Sequence, residues 1–213
     1  MAGKLITLEG IDGAGKTTIL NKLKDRSFVS NELSKKLEKF NIIFTREPTN
    51  EWIGDVVNKA IRSDVDPLAE LFLFMADHFE HISKKIRPAI ENNKIVISDR
   101  YSDSRIAYQG ATLQNKIKNP INWIQSLHKN NTIIPDLTIL FDTNPELAVK
   151  RIEKNRDENS KFEKIDFLNN VRKNYISIAK SDPNRFKIID ADKPLEKIEI
   201  EVVEIISSFI SEI

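Results

Sequence analysis

Apolar residues in this 213-residue chain fall into two kinds of run that alternate from one end to the other. Short, nearly continuous runs occupy Lys4–Glu9 (KLITLE), 41–45 (NIIFT), Lys94–Ser98 (KIVIS), Asp136–Asp142 (DLTILFD) and Phe186–Asp190 (FKIID). Runs of that length and composition predict strands buried on both faces. Between them, apolar positions return every three or four residues. Examples are Ile19 to Leu23; Leu33, Leu37 and Phe40; Trp52, Val56, Val57 and Ala60; Leu68, Leu71, Phe72, Met75, Phe79, Ile82 and Ile86; and Leu195, Ile198, Val202, Ile206 and Phe209. This spacing belongs to amphipathic helices. Strand alternating with helix predicts an α/β fold in three layers, a five-stranded parallel sheet flanked by helices on both faces. No Pro/Gly/Ser-rich stretch or internal repeat divides the chain, so residues 1–213 are read as a single domain. Sheets of this kind bind ligands beyond the carboxyl ends of their strands. Three segments lie there: Gly10 onward, Arg46–Pro48 and Asp99–Tyr101.

The first segment carries specific chemistry. Gly10-Ile11-Asp12-Gly13-Ala14-Gly15-Lys16-Thr17 matches G-x-x-x-x-G-K-[ST] at every fixed position, between a predicted strand and a predicted helix. Its glycines let backbone N–H groups wrap a phosphate chain, and the helix opening near Lys16 adds its positive end. Lys16 is expected on the β/γ oxygens of ATP, Thr17 on Mg²⁺, and Thr18 beside them. The motif also identifies the fold as that of P-loop NTPases. Asn21-Lys22-Leu23-Lys24 lacks the aspartate of a guanine-reading box, so GTP is not indicated.

Charge and composition narrow the partners. Lys plus Arg total 33 against 32 Asp plus Glu, a net charge of +1. That balance gives no global field to draw nucleic acid or an anionic membrane, and neither partner is expected. There are no cysteines, which excludes a disulfide framework and a Cys-based zinc site. Residues 1–20 lack the pattern of a signal peptide and no apolar stretch has the length of a membrane span, so a cytoplasmic location is expected.

Asp99-Arg100-Tyr101-Ser102-Asp103-Ser104-Arg105-Ile106-Ala107-Tyr108-Gln109-Gly110 resembles the DRY-x-x-S-x-x-AYQG segment of thymidylate kinases. Thr45-Arg46-Glu47-Pro48-Thr49 is similar to that family's TREP segment, and Glu9-Gly10-Ile11-Asp12-Gly13 to its EG-x-DG opening. With Phe162-Glu163-Lys164 and the ending Arg185 to Ala191, the resemblance runs nearly the full length. It implies an ATP-dependent kinase that phosphorylates dTMP, needs Mg²⁺ and forms a homodimer. Physical chemistry asks separately for paired guanidinium groups on an acceptor monophosphate, and Arg46 and Arg100 each follow a strand. Asp99 is expected to hold Mg²⁺ through water or to orient Arg100. The resemblance implies that Phe74 stacks on thymine, although an aromatic at helical spacing is more often core. It further implies that Tyr108 crowds the sugar 2′ position, that Asp12 lies near the 3′-hydroxyl with Glu9 as a weaker companion, and that Ser104 and Gln109 line the acceptor site.

Residues 150–164 (KRIEKNRDENSKFEK) are densely charged, the ordinary signature of a solvated helix face. The resemblance instead makes them a lid, with Arg151 against adenine and Arg156 on the transferring phosphoryl group. Ala14 stands where some family members carry an arginine, so the transition-state cation is expected from the lid. Two positions depart from the family pattern. His78 replaces the arginine that bonds the thymine carbonyl, and Arg105 replaces a small polar residue facing the base. Either Arg105 or His78 takes over that bond, or the pocket accepts another pyrimidine. His78 and His81, one turn apart, read as solvent-facing in preference to a metal pair. The segment around residues 26–31 is longer than usual in the family. Catalysis is expected to rest on Lys16, Arg100 and Arg156. The competing readings are a kinase for another nucleoside monophosphate or a deoxynucleoside, and a nucleotide-dependent switch without phosphotransfer.

Overall fold

The computed structural model describes residues 3–25, 41–153 and 164–211. The residues around 26–31, Arg156 and most of the expected lid lie outside that set. All five strands form: β1 (Lys4–Glu9), β2 (Ile42–Arg46), β3 (Ile95–Asp99), β4 (Leu137–Asp142) and β5 (Phe186–Asp190). They make one parallel sheet in the order β2-β3-β1-β4-β5. β2 and β3 each end one residue later than the apolar runs suggest, so Arg46 and Asp99 are the last residues of their strands. They sit on one rung of the sheet, where Arg46 pairs with Asp99 and Asp99 pairs with Leu8.

The described helices are α1 (Lys16–Asp25), α2 (Trp52–Ile61), α3 (Pro67–His81), α4 (Arg87–Glu91), α5 (Ser102–Thr112), α6 (Pro120–His128), α7 (Pro145–Glu153), α8 (Ile165–Ser181) and α9 (Leu195–Ser211). The periodicity from Leu68 to Ile86 predicts one helix, but a π-helical turn at Ile82–Ile86 separates α3 from α4. Pro88 has no N–H to give the carbonyl four residues back and its ring crowds that group. The ladder widens just before it, with the Arg87 N–H reaching the Ile82 carbonyl. No described helix is long and apolar enough to cross a membrane.

Strand alternation splits the interior. Ile6, Leu8, Ile95, Ile97 and Ile139 point into the larger core, closed by Leu71, Met75, Val171, Tyr175, Val202 and Ile206 from the helices. Leu5 and Val96 face the other way, onto Ile82, Ile86, Ala89 and Tyr101. Each fully buried aliphatic side chain contributes about 1.5–3 kcal/mol. The sheet is thus fixed from both sides and its carboxyl ends stay level.

One glycine anchors the start of α2. A Cβ on Gly54 would lie 2.0 Å from the Thr49 carbonyl oxygen and 2.8 Å from Thr49 Oγ1. Gly→Ala inside a helix ordinarily stabilises by up to about 1 kcal/mol. Here the added methyl collides with backbone, and Gly54→Ala is expected to destabilise by about 1–3 kcal/mol. Urea unfolding checks it; a gain in stability would show that the loop at Thr49 yields freely.

Candidate active site

The turn after β1 is built by glycine. Gly10, Gly13 and Gly15 have φ of +143°, +78° and +92°, where L side chains are strained. Gly10 and Gly13 also lie against backbone, since a Cβ would approach the Phe141 carbonyl oxygen at 2.5 Å and that of Ala148 at 2.4 Å. Gly15 instead faces open space, so the loop's concave side is free for a ligand. Lys16 opens α1 and its Nζ donates to the Ile11 carbonyl at 2.7 Å. Burial, and next the Arg100 charge, pull the Lys16 ammonium down to about 8. The negative charge of a phosphate chain would offset both effects and favour the ammonium.

The Thr17 hydroxyl donates to Asp99 Oδ2 at 2.5 Å. Asp99 Oδ1 is buried without a hydrogen-bond partner. An orphaned carboxylate oxygen beside a P-loop hydroxyl suits a hard divalent cation, held directly or through water and completed by substrate phosphates. No group of three or more His, Cys, Asp or Glu able to hold a metal alone occurs among the described residues.

Arg100 is a non-glycine residue at φ +70°, an uncommon conformation that the surroundings enforce. Its N–H donates to the Leu8 carbonyl at 3.0 Å. Its guanidinium donates to Asp12 Oδ1 (2.7 Å), Ser104 Oγ (3.0 Å) and Tyr108 OH (3.2 Å). Burial opposes its charge, but Tyr108 and Asp12 more than offset that and Arg100 stays cationic. Burial likewise pushes Asp12 up, yet Arg100 and Lys16 hold its carboxyl below the usual range. Tyr108 OH donates to Asp12 Oδ2 at 3.0 Å and accepts the Asp12 N–H at 2.9 Å, tying α5 to the P-loop. Behind this layer Glu9 is fully buried. It accepts from the Tyr101 N–H (2.8 Å), Ser104 Oγ (2.6 Å) and Tyr175 OH (3.0 Å). Burial, then the nearby Asp103 charge, raise Glu9 to about 7.

A cleft of about 450 Å³ joins these groups, within the usual size of small-molecule sites. Asp12 to Thr18, Arg46, Asp99 and Arg100 line one end; Arg151, Lys193 and Leu195 line the other. Arg151 donates to the Ala191 carbonyl at 3.0 Å, which holds its guanidinium at the mouth of the P-loop. Of the residues expected to meet the acceptor, Phe74, His78, Ser104, Arg105, Tyr108 and Gln109 are not on the wall of this cleft. Ser104 and Tyr108 support Arg100, Phe74 is half-buried on α3, and Gln109 is buried with Nε2 unpartnered.

His78 and His81 are not solvent-facing: they are 0% and 4% exposed. The reason is Glu47, also buried, which gathers three partners. Arg105 Nη1 donates to its Oε2 at 2.5 Å, and His81 Nδ1 donates to Oε1 at 2.8 Å. Arg105 Nη2 also donates to His78 Nδ1 at 2.7 Å, which makes that nitrogen an acceptor. Burial and the Arg105 charge lower His78 to about 4, so the ring is neutral. Its Nε2–H then donates to Thr132 Oγ1 at 3.0 Å. The 3.0 Å approach of His78 to Glu47 is accordingly a contact across the arginine fork, not an ion pair. Burial pushes Glu47 up, but the Arg105 charge, helped by the His81 hydrogen bond, overcomes it and holds the carboxyl well below its usual range.

Glu47, Asp77, His81, Tyr175, Lys193 and Leu195 were missed by sequence reasoning. Lys193 and Leu195 follow β5 and Glu47 follows β2, so the carboxyl-end rule reaches them. The others are recognised only through partners distant in sequence.

A family model described as Thymidylate kinase matches residues 8–202. A probable thymidylate kinase of Methanococcoides burtonii is 55% identical over 210 residues, covering 99% of both chains. Similar proteins bearing the same name occur in Methanosarcina barkeri (54% over 212 residues, 99% of both chains) and Methanosarcina mazei (51% over 214 residues, 100% of both).

Glu9 gives a pH signature. Its folded value of about 7 exceeds the ordinary 4.5, so the folded state binds its proton more tightly. The associated stability is complete below pH 4.5 and is lost as pH rises through 7. Relative to the parent protein, Glu9→Gln should therefore gain stability between pH 4.5 and 7, by up to about 3 kcal/mol, and level off above. Thermal unfolding of the pair across that range is the check; a constant difference would place Glu9 at its ordinary value.

Proposed function

The chain belongs to the thymidylate kinase family, and on that premise we propose that it transfers the γ-phosphoryl group of MgATP to dTMP, giving dTDP and ADP. The observation that supports this most is the meeting of a P-loop and two arginines, Arg46 and Arg100, in one cleft. A monophosphate dianion needs cationic clamps, whereas a nucleoside hydroxyl needs a carboxylate base. An oxygen of the acceptor phosphate attacks the γ-phosphorus, and the bond from that phosphorus to the β–γ bridging oxygen breaks. No general base is required, because a phosphate monoester with second pKa about 6 is already largely ionised at neutral pH.

Arg46 and Arg100 hold the acceptor phosphate in line, and Lys16 neutralises the β/γ oxygens. Thr17 and Asp99 would hold Mg²⁺, whose contribution is to offset charge on the bridging and transferring oxygens. Arg151 and Leu195 receive adenine, with Gly10 to Thr18 on the phosphates. Arg156, outside the described residues, is the cation assigned to the transition state. Phe74 stacks on the base and Tyr108 crowds the 2′ position. Arg105 Nε and Gln109 Nε2, one turn apart on α5, are buried without partners and supply donors for thymine's carbonyl oxygens. That arrangement leaves His78 to support Arg105.

The reaction is assigned to the cytoplasm, consistent with a cysteine-free chain, and to a homodimer. Trp52 (72% exposed), Val56 and Phe72 offer a large apolar area on α2 and α3 that a second copy would cover.

ADP release with dTMP, dUMP, dCMP, UMP, CMP, AMP and GMP tests the substrate. The expected order puts dTMP first; another preferred acceptor overturns the base assignment, and no turnover overturns the kinase. Arg46→Ala should raise KM for dTMP about 10- to 100-fold, the worth of a charged hydrogen bond, with KM for ATP nearly unchanged. Light scattering of Trp52→Glu should show a monomer; an unchanged dimer would move the interface elsewhere.

A further inference from the structure

The segment Thr45–Thr49 is held from α3 and α5 at every second residue. Thr45 Oγ1 donates to His81 Nε2 at 2.7 Å. Glu47 takes His81 and Arg105, as above. Thr49 gives its N–H to Asp77 Oδ2 at 2.8 Å and its hydroxyl to Asp77 Oδ1 at 2.5 Å. All six residues are at most 8% exposed. Arg46, between two of these anchors, is exposed and lines the cleft beside Lys16 and Arg100. Extended backbone alternates sides, so fixing Thr45 and Glu47 inward aims Arg46 outward. The Glu47 N–H also donates to the Asp99 carbonyl at 3.0 Å, tying this rung to the one that carries Arg100.

We infer that Glu47, Asp77 and His81 are positioning residues for the acceptor phosphate, which they serve by fixing the backbone of Arg46 and not by touching the base. The inference rests on the kinase reading above. A long arginine side chain has much rotamer freedom to lose, and a rigid anchor leaves less of that cost to be met on binding. Glu47 is suited to the task because one buried carboxylate takes partners from two helices, with Arg105 balancing its charge.

Two probes separate positioning from base recognition: dTMP, and thymidine, the same nucleoside without its phosphate. Calorimetric titration of the full-length protein is expected to show Glu47→Gln and Thr49→Val weakening dTMP about tenfold or more, with thymidine within about twofold. Thr49→Val keeps volume and leaves the Arg105–Glu47 pair intact, so it serves if Glu47→Gln does not fold. Thr49→Ser should restore dTMP binding. In an Arg46→Ala background neither Glu47→Gln nor Thr49→Val should weaken dTMP further. Equal loss for both ligands overturns the inference in favour of a base-reading cluster, and no loss for either reduces the cluster to a structural role. Parent protein that binds neither ligand overturns the kinase reading, and this inference with it.

Discussion

Three adjacent parallel strands, β2, β3 and β1, leave the sheet at one level because the backbone ladder puts Arg46, Asp99 and Leu8 on a single rung. The ladder continues past the strands: the Arg100 N–H reaches the Leu8 carbonyl, and the Glu47 N–H reaches the Asp99 carbonyl. Both arginines, the aspartate and the P-loop are therefore placed by main-chain hydrogen bonds in a core buried on both faces. A rung fixed this way has little freedom to shift, which is what in-line transfer between two phosphates demands. A slip of one residue in β2 would turn Arg46 inward and Glu47 outward.

That geometry crowds like charges. Lys16, Arg46 and Arg100 share one cleft, and the effect registers in Lys16, lowered partly by Arg100. Asp12 and Asp99 offset some of the charge, the first by pairing with Arg100 and the second by accepting from Thr17. The remaining excess is positive and is balanced only when phosphates enter. The site thus holds electrostatic tension that its ligands relieve, and the buried polar network behind it resists rearrangement. Glu9 is the extreme member: its three donors would favour a carboxylate, yet burial and Asp103 raise its affinity for a proton.

Much of this was legible in the sequence because its signals are local. Continuous apolar runs mark strands buried on both faces, and the P-loop glycines sit within eight residues of one another. Arg46 and Asp99 end their strands, so the carboxyl-end rule reaches them without any knowledge of pairing. α5 was harder to read. Ser102 to Ala111 are all buried although the segment includes Ser102, Asp103, Ser104, Arg105 and Gln109, so polarity reads as surface where the fold makes it interior. α3 misleads in the same way. Its apolar stripe of Leu71 and Met75, continued by Ile82, predicts one buried face, yet His78 lies within that stripe, and Asp77 and His81 bury a neighbouring face against Thr45–Thr49. Their partners lie 27 to 54 residues away, and no spacing rule connects them.

The pairing of His78 with Arg105 joins α3 and α5 behind β2. The Arg105 guanidinium on α5 pairs with Glu47 and donates to His78 on α3. A buried Glu47 without that cation would carry an uncompensated charge, which costs several kcal/mol in such a setting. Because Arg105 spends Nη1 on Glu47 and Nη2 on His78, only Nε among its described polar atoms has no protein partner. The neighbouring Gln109 Nε2, one turn along α5, is likewise buried without a partner.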